Sequence, residues 1–185
     1  MSRQKAILLE NSKNKNANMK KIVYRGPIFN VEEWKLPKTG TKFARVVGHD
    51  AVAVLPILDD GRIIIEKQYR HPLERYLYEI PAGHIDEGET PAAAARRELE
   101  EETGYYPKKL KRIFGIFEAP GSFTQFLHVF LAEDLVQKKI SRETDEVITT
   151  IKISLEKAQN MILRNQICDA KTISSILYYS RFKSK

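Results

Sequence analysis

Apolar and polar positions along this chain predict strands early and in number, with helices few and well separated. Residues 1–18 are polar, Asn- and Lys-rich, with one short apolar patch at Ala6 to Leu9. Such a stretch buries too little to order itself, and a disordered tail or a loosely attached strand is expected. From Lys21 onward, "KIVYRGPIFNVEEWKL" and "KFARVV" are β-rich and are split by the turn residues "PKTGT". "AVAVLPILDDGRIIIEKQYR" joins two apolar runs at Asp59-Asp60-Gly61 and predicts a hairpin. "YLYEIPAG" predicts one strand ending at Gly83, and further strands are expected in "KRIFGIFEAP", "QFLHVFLAEDL" and "EVITTIKIS".

Helical signals are confined to three places. In "TPAAAARRELEEETG", Thr90 suits an N-cap, Pro91 the first helical position and Gly104 the stop. Ala92, Ala95 and Leu99 share one face of that helix, small enough to pack closely on a sheet. Two more helices are expected late in the chain, about Leu155–Arg164 with Ser154 as cap and about Asp169–Arg181. Strands joined largely by hairpins, with separated helices, give an α+β pattern. No internal repeat is present.

Composition narrows the class. The 185 residues suit one domain with a short extension, and a 42% hydrophobic fraction with eight Phe, eight Tyr and one Trp supports a real core. No apolar run approaches the roughly 18–20 residues that cross a bilayer. The N-terminus lacks the form of a signal peptide, so a cytoplasmic protein without a membrane partner is expected. The single Cys168 has no intrachain disulfide partner, which fits a reducing compartment. In "NQICDAK" it reads as a small buried residue rather than a nucleophile. The net charge of +7 comes from lysines and arginines early in the chain and at Lys108, Lys109, Lys111 and Arg112. It fits either a solvated basic face or attraction of a phosphorylated substrate.

Charge within the first helix changes the picture more. "RRELEEETG" places Glu98, Glu100, Glu101 and Glu102 at a helix C-terminus, where the dipole is already negative. Glu98 and Glu102 stand one turn apart, and like charges at that spacing cost about 0.2–0.5 kcal/mol. Glu101 joins them, while Glu100 projects away. Acidic turns occur as plain hydrated faces; they also supply the hard oxygen ligands that Mg²⁺ and Mn²⁺ prefer. A bound cation would relieve the repulsion, and broken local rules of this kind tend to mark functional sites.

The spacing around the cluster is specific. Gly83 is followed after five residues by Glu89, and after seven more by Arg97-Glu98-Leu99, then Glu101-Glu102, Gly104 and Tyr105. This resembles the Nudix box, departing from it only at Tyr105, where the family has an aliphatic residue. "EKQYRHPLERYLYEIPAG" and "EAPGSFT", with Pro120 sixteen residues beyond Gly104, resemble the flanks of the box in ADP-ribose pyrophosphatases. The likeness extends from about Ala51 to Tyr179.

The resemblance implies a Nudix fold, an α/β/α sandwich on a mixed sheet with the box as a loop–helix–loop. It divides the chain into a tail (1–18), a β-rich dimerisation segment (19–48) and a Nudix hydrolase domain (49–185). It implies Mg²⁺-dependent hydrolysis of a nucleoside diphosphate sugar, foremost ADP-ribose to AMP and ribose 5-phosphate, with Mn²⁺ as a possible substitute. Glu98, Glu102 and the Ala82 carbonyl would bind metal, Glu101 would do so directly or through water, and Arg97 would orient the glutamates. Gly83 would give the loop a tight turn, and Glu89 and Gly104 would complete the motif. Either Glu143 or Glu146 would be the general base, from a loop ahead of the last strand. Arg70 and Glu79 would line the sugar-nucleotide pocket or form a salt bridge between strands. Trp34, with Phe29 near it, would stack on a purine or belong to core or interface. Pro120, Gly121 and Phe123 would wall the pocket or serve as turn residues. A homodimer with exchanged N-terminal strands is implied as well. GDP-mannose, a dinucleoside polyphosphate or capped RNA are alternative substrates, although the flanks favour a sugar nucleotide over nucleic acid. A binding module that senses a nucleotide without cleaving it is a different alternative; the retained glutamates argue against it.

Overall fold

A computed structural model describes residues 20–138 and 148–182. They fall into two compact units, one of residues up to Gly48 together with Ala119–Thr124, the other of His49–Glu118 and Gln125 onward.

The first unit is an antiparallel sheet of β1 (Lys21–Arg25), β2 (Phe29–Lys35) and β3 (Lys42–Gly48), in that order. The tight turn of "PKTGT" is closed by Leu36 and Thr41, and Gly40 there takes a left-handed φ of 67°. Residues Ala119–Thr124 join this unit through β3: the Val46 amide donates to the Ser122 carbonyl and the Val46 carbonyl accepts from Thr124.

The second unit contains two sheets and, among the described residues, three helices. One sheet has the order β7 (Ala82–His84), β4 (Ala51–Pro56), β9 (Phe126–Gln137), β8 (Tyr105–Phe117). Its mixed character lies in β4, which runs parallel to β9 and antiparallel to β7. The other sheet is antiparallel, in the order β10 (Ile148–Ile153), β5 (Ile63–Arg70), β6 (Arg75–Glu79). The helices are α1 (Pro91–Thr103), α2 (Leu155–Leu163) and α3 (Ala170–Phe182).

The layers follow from β4. All six of its residues are buried, because both faces of the strand are covered. Val52 and Val54 point to α1 and meet Ala94, Ala95 and Leu99, with Phe130 and Ala132 from β9. Ala51, Ala53 and Leu55 point the other way, to Ile63 and Ile65 of the second sheet and to Ala158, Ile167 and Ile176 of the α2–α3 layer. Small alanines let α1 approach the sheet closely, and Leu99 alone, fully buried, contributes roughly 1.5–3 kcal/mol.

Four expectations are corrected here. The hairpin expected at Asp59-Asp60-Gly61 is a sharp turn between sheets: β4 and β5 meet only in the bridge Ile57 to Ile63. Continuous apolar runs suit strands buried on both faces, whereas a half-buried hairpin would alternate. "YLYEIPAG" is two strands rather than one, since the chain leaves the second sheet after Glu79 and enters the first at Ala82. Pro81 sits at that crossing, where its carbonyl accepts from the Val54 amide. Strand β8 begins at Tyr105, well before "KRIFGIFEAP", and carries Pro107 and exposed lysines because it lies on a sheet edge. Cys168 is exposed, and its neighbour Ile167 takes the buried position instead.

Candidate active site

Helix α1 begins and ends as its sequence dictates. The Thr90 hydroxyl accepts from the Ala93 amide at 3.2 Å, Pro91 follows, and Gly104 closes the helix with φ 74° while its amide donates to the Glu100 carbonyl. Its buried side faces β4, which turns Arg97, Glu98 and Glu101 toward the loop between β7 and the helix.

Arg97 organises that region. Its Nε donates to Glu89 Oε1 at 3.2 Å and its Nη2 to Glu89 Oε2 at 3.0 Å. Its Nη1 donates to Glu98 Oε1 at 2.7 Å and to Glu101 Oε2 at 3.2 Å. Nη2 also donates to the His84 carbonyl at 3.0 Å, and Asp86 lies 3.7 Å away. One rigid guanidinium fork thus ties the loop to two of the helix carboxylates. Glu102 turns elsewhere, accepting from the Ala82 amide at 3.0 Å.

The electrostatics differ from one glutamate to the next. Hydrogen bonding from Arg97 holds the Glu89 carboxyl below its ordinary range, and Glu89 in turn is the main reason the guanidinium is pushed up. Glu98 moves the other way: burial raises its carboxyl more than the Arg97 charge lowers it. A carboxylate held at such a cost is receptive to a cation. Glu101 is half exposed, at the open side of the cluster.

Gly83 has a role other than the tight turn expected. It lies in strand β7 without a left-handed φ; the left-handed glycine of this loop is Gly88, with φ 81°. A Cβ at Gly83 would stand 2.1 Å from Glu98 Cδ, so the missing side chain is the space in which the Glu98 carboxylate sits. That cradle and the all-oxygen donor set fit a hard divalent cation. Among the described residues no three acidic, His or Cys side chains converge on one point: Arg97 Nη1 gathers Glu98 and Glu101, while Glu102 accepts from the Ala82 amide.

The remaining candidates are distributed. Arg70 and Glu79 form a bidentate pair, Nε to Oε1 at 2.8 Å and Nη2 to Oε2 at 2.9 Å. Glu79 is buried and bonded as well to Lys171, whose Nζ also donates to Asp169 at 3.0 Å. Burial works against the Glu79 charge, but the Arg70 hydrogen bonds and the Lys171 charge prevail and bring its carboxyl down to about 2. Lys171 was not among the sequence candidates; its lone signal is a lysine in the first turn of a helix, where the dipole disfavours it. Tyr105 is buried, and its hydroxyl accepts from Lys152 Nζ at 2.7 Å, so the polar atom at this unusual box position is satisfied.

Trp34, Pro120, Gly121 and Phe123 belong to the first unit. Trp34 stacks on Phe43 at 5.8 Å with 24° between the rings. Phe29, expected beside it, points to the opposite face of β2 and packs against Tyr24 instead. Glu143 and Glu146 lie outside the described residues.

The family model described as the NUDIX domain matches residues 47–174. The chain is 41% identical over 164 residues to the ADP-ribose pyrophosphatase of Bacillus subtilis (strain 168), covering 86% of this chain and 89% of that one. It is 35% identical over 151 residues to the methanol dehydrogenase activator of Bacillus methanolicus, covering 80% and 82%. Among solved structures it is similar to a crystal structure of an ADP compounds hydrolase, with a TM-score of 0.76, 25% identity and coverage of 87% and 89%. An Arg97-centred glutamate cluster on the helix of an α/β/α sandwich, a matching family model and these relatives agree: the chain belongs to the Nudix hydrolase family.

Proposed function

We propose that this chain hydrolyses the pyrophosphate bond of nucleoside diphosphate sugars, with ADP-ribose as the leading substrate, cleaved to AMP and ribose 5-phosphate. The observation that carries the reading is the Arg97 fork, which holds Glu98 and Glu101 ready at the end of α1 beside the space left by Gly83. Likeness over most of both chains to a relative named ADP-ribose pyrophosphatase supports the substrate class.

Glu98, Glu101, Glu102 and the Ala82 carbonyl are the groups we assign to Mg²⁺, with Mn²⁺ as an alternative. When bound, such a cation supplies neutralisation of the diphosphate charge and activation of the attacking water. The chain's own contribution is preorganisation: Arg97 fixes the carboxylates before substrate arrives, so little ordering remains to be done in the transition state. Either Glu143 or Glu146 takes the proton from water. Arg70, aligned by Glu79, meets a phosphate. In the first unit, Trp34 is assigned to stacking on the base, and Pro120, Gly121 and Phe123 to the border of the substrate.

The exposed Ile22, Val23, Tyr24, Ile28, Phe29 and Phe43 of the first unit support pairing with a second copy, with exchange of the N-terminal strands. The exposed free thiol of Cys168 suits the cytoplasm.

The test is a substrate panel of ADP-ribose, GDP-mannose and a dinucleoside polyphosphate, with Mg²⁺, with Mn²⁺ or with chelator, followed by ³¹P NMR. AMP and ribose 5-phosphate should appear first with ADP-ribose, and chelator should stop them. ADP-ribose left intact with either cation would overturn the reading.

A further inference from the structure

We propose that Lys171 is a positioning residue for the substrate's phosphates: by sharing the Glu79 carboxylate and offsetting Asp169, it keeps Arg70 from being neutralised by its own partner. The inference rests on the assignment of Arg70 to a phosphate made above.

Lys171 is the second residue of α3, and its side chain is only 10% exposed. A lysine in that place meets two costs. The N-terminal pole of a helix is positive, and a buried ammonium loses its hydration. Asp169, two positions earlier, supplies one carboxylate; the rest of the compensation comes from farther along the chain. It comes from Glu79 on β6, 92 positions earlier, whose Oε2 accepts from Lys171 Nζ. On its other side the same carboxylate holds Arg70 by two hydrogen bonds. Asp169 completes the group, with Oδ1 accepting from Lys171 and Oδ2 from the Thr172 amide at 2.9 Å and hydroxyl at 2.6 Å.

The arrangement is rigid. Thr172 Oγ1 accepts from the Ile80 amide at 2.9 Å, which pins the first turn of α3 to the residue after Glu79. Asp169, Lys171 and Glu79 are nearly covered, whereas Arg70 is 34% exposed at the outer end. The row therefore runs from the interior to a single cation that a ligand can reach.

Charge decides what that cation offers. With Lys171 present, two cations face Glu79 and Asp169, and Glu118 lies within electrostatic reach of the same group. Without it, Arg70 is the one left of the two to face the same carboxylates. A dianionic diphosphate would then meet a site more negative by one unit. One unit charge removed at roughly 8–10 Å from a dianion, at an effective dielectric of about 20 and with salt screening over about one Debye length, weakens binding about tenfold. The bond-breaking step, which belongs to the glutamates of α1, is untouched by that change. The effect should therefore fall on KM and leave kcat alone.

The experiment is steady-state hydrolysis of ADP-ribose at saturating Mg²⁺ by the full chain and three variants. Lys171→Met should raise KM about tenfold with kcat within about twofold, and Lys171→Arg should bring KM back to within about threefold of wild type. Asp169→Asn keeps an oxygen to cap Thr172 while making the group more positive, and should lower KM a few-fold. A folded Lys171→Met with wild-type KM, or with kcat reduced as much as kcat/KM, overturns the proposal. Should Lys171→Met fail to fold, Asp169→Asn decides, because an unchanged or raised KM there overturns it equally. Wild-type protein that leaves ADP-ribose intact overturns the substrate assignment, and this inference with it.

Discussion

At the C-terminal end of α1, glutamates crowd against the negative pole of the helix dipole; at the N-terminal end of α3, a lysine sits against the positive pole. Both violate the same local rule, yet their surroundings answer it differently. Lys171 is buried and matched, its charge divided between Glu79 and Asp169. The α1 cluster is left in deficit, with Asp86, Glu89, Glu98 and Glu101 all drawing on Arg97, which is 30% exposed. A matched charge group deep in the protein holds parts in place. An unmatched one at the surface is a place for something positive to arrive.

The largest effect that separates the two regions should come from Glu102→Gln. The amide oxygen can still accept from the Ala82 amide, so the loop and the helix keep their link. What is lost is one negative charge from the group we assign to the cation. Turnover of ADP-ribose should fall roughly 10³-fold or more, with circular dichroism and melting temperature near wild type. Near wild-type rates at saturating Mg²⁺ would show that the α1 cluster is matched after all.

The second contrast is with acid. The Glu79 carboxyl sits at about 2 against an ordinary value of 4.5, because Arg70 and Lys171 outweigh the cost of its burial. A depressed carboxyl stabilises the fold above its unfolded value, and that stabilisation is lost as pH falls through the folded one. Between pH 4.5 and 2 the wild type should lose about 3 kcal/mol from this group alone. Urea unfolding across that range, compared with Glu79→Gln, reads it directly. The variant should be less stable at neutral pH and show a shallower dependence on acid; parallel curves would mean that the pair is not matched as the geometry indicates.

What the sequence disclosed, and what it withheld, follows the range of the interactions. The limits of α1 were legible because Thr90, Pro91 and Gly104 act on backbone groups within four residues. So were the two β-rich stretches of the first unit, although not the division of the first into β1 and β2, and the Ser154 cap of α2, which is equally local. The partners of β4 and β5 were not, since an apolar run announces burial on both faces but not the strand that covers it. The Arg97 cluster was readable through the spacing of a known motif. The Lys171–Glu79 contact had no such spacing to reveal it, being a pairing of residues far apart in the chain that only the folded sheet brings together. The ring partner of Trp34 was out of reach for a related reason: it is Phe43 on the neighbouring strand, set by register.

Gly83 sharpens the contrast at the smallest scale. Its α-hydrogen leaves room for the Glu98 carboxylate, and a methyl group there would approach Glu98 Cδ to 2.1 Å and its two oxygens to 2.1 and 2.4 Å. No real contact is that short, so Gly83→Ala must move something, and the movable part is the free end of the glutamate. Backbone and helix can stay where they are. Alanine also suits the ordinary strand backbone at this position, and removing a glycine from the unfolded chain favours folding by about 0.4–1 kcal/mol where the native φ permits it. The swing of Glu98 away from Arg97 Nη1 takes back part of that gain. Stability should therefore change by less than about 1 kcal/mol in either direction, while turnover falls about tenfold because the carboxylate no longer stands where the fork placed it. Melting temperature and kcat measured side by side separate the two accounts. A variant that melts several degrees lower yet turns over normally would mean that Gly83 serves packing alone, and that the carboxylates of α1 need no fixed station beside it.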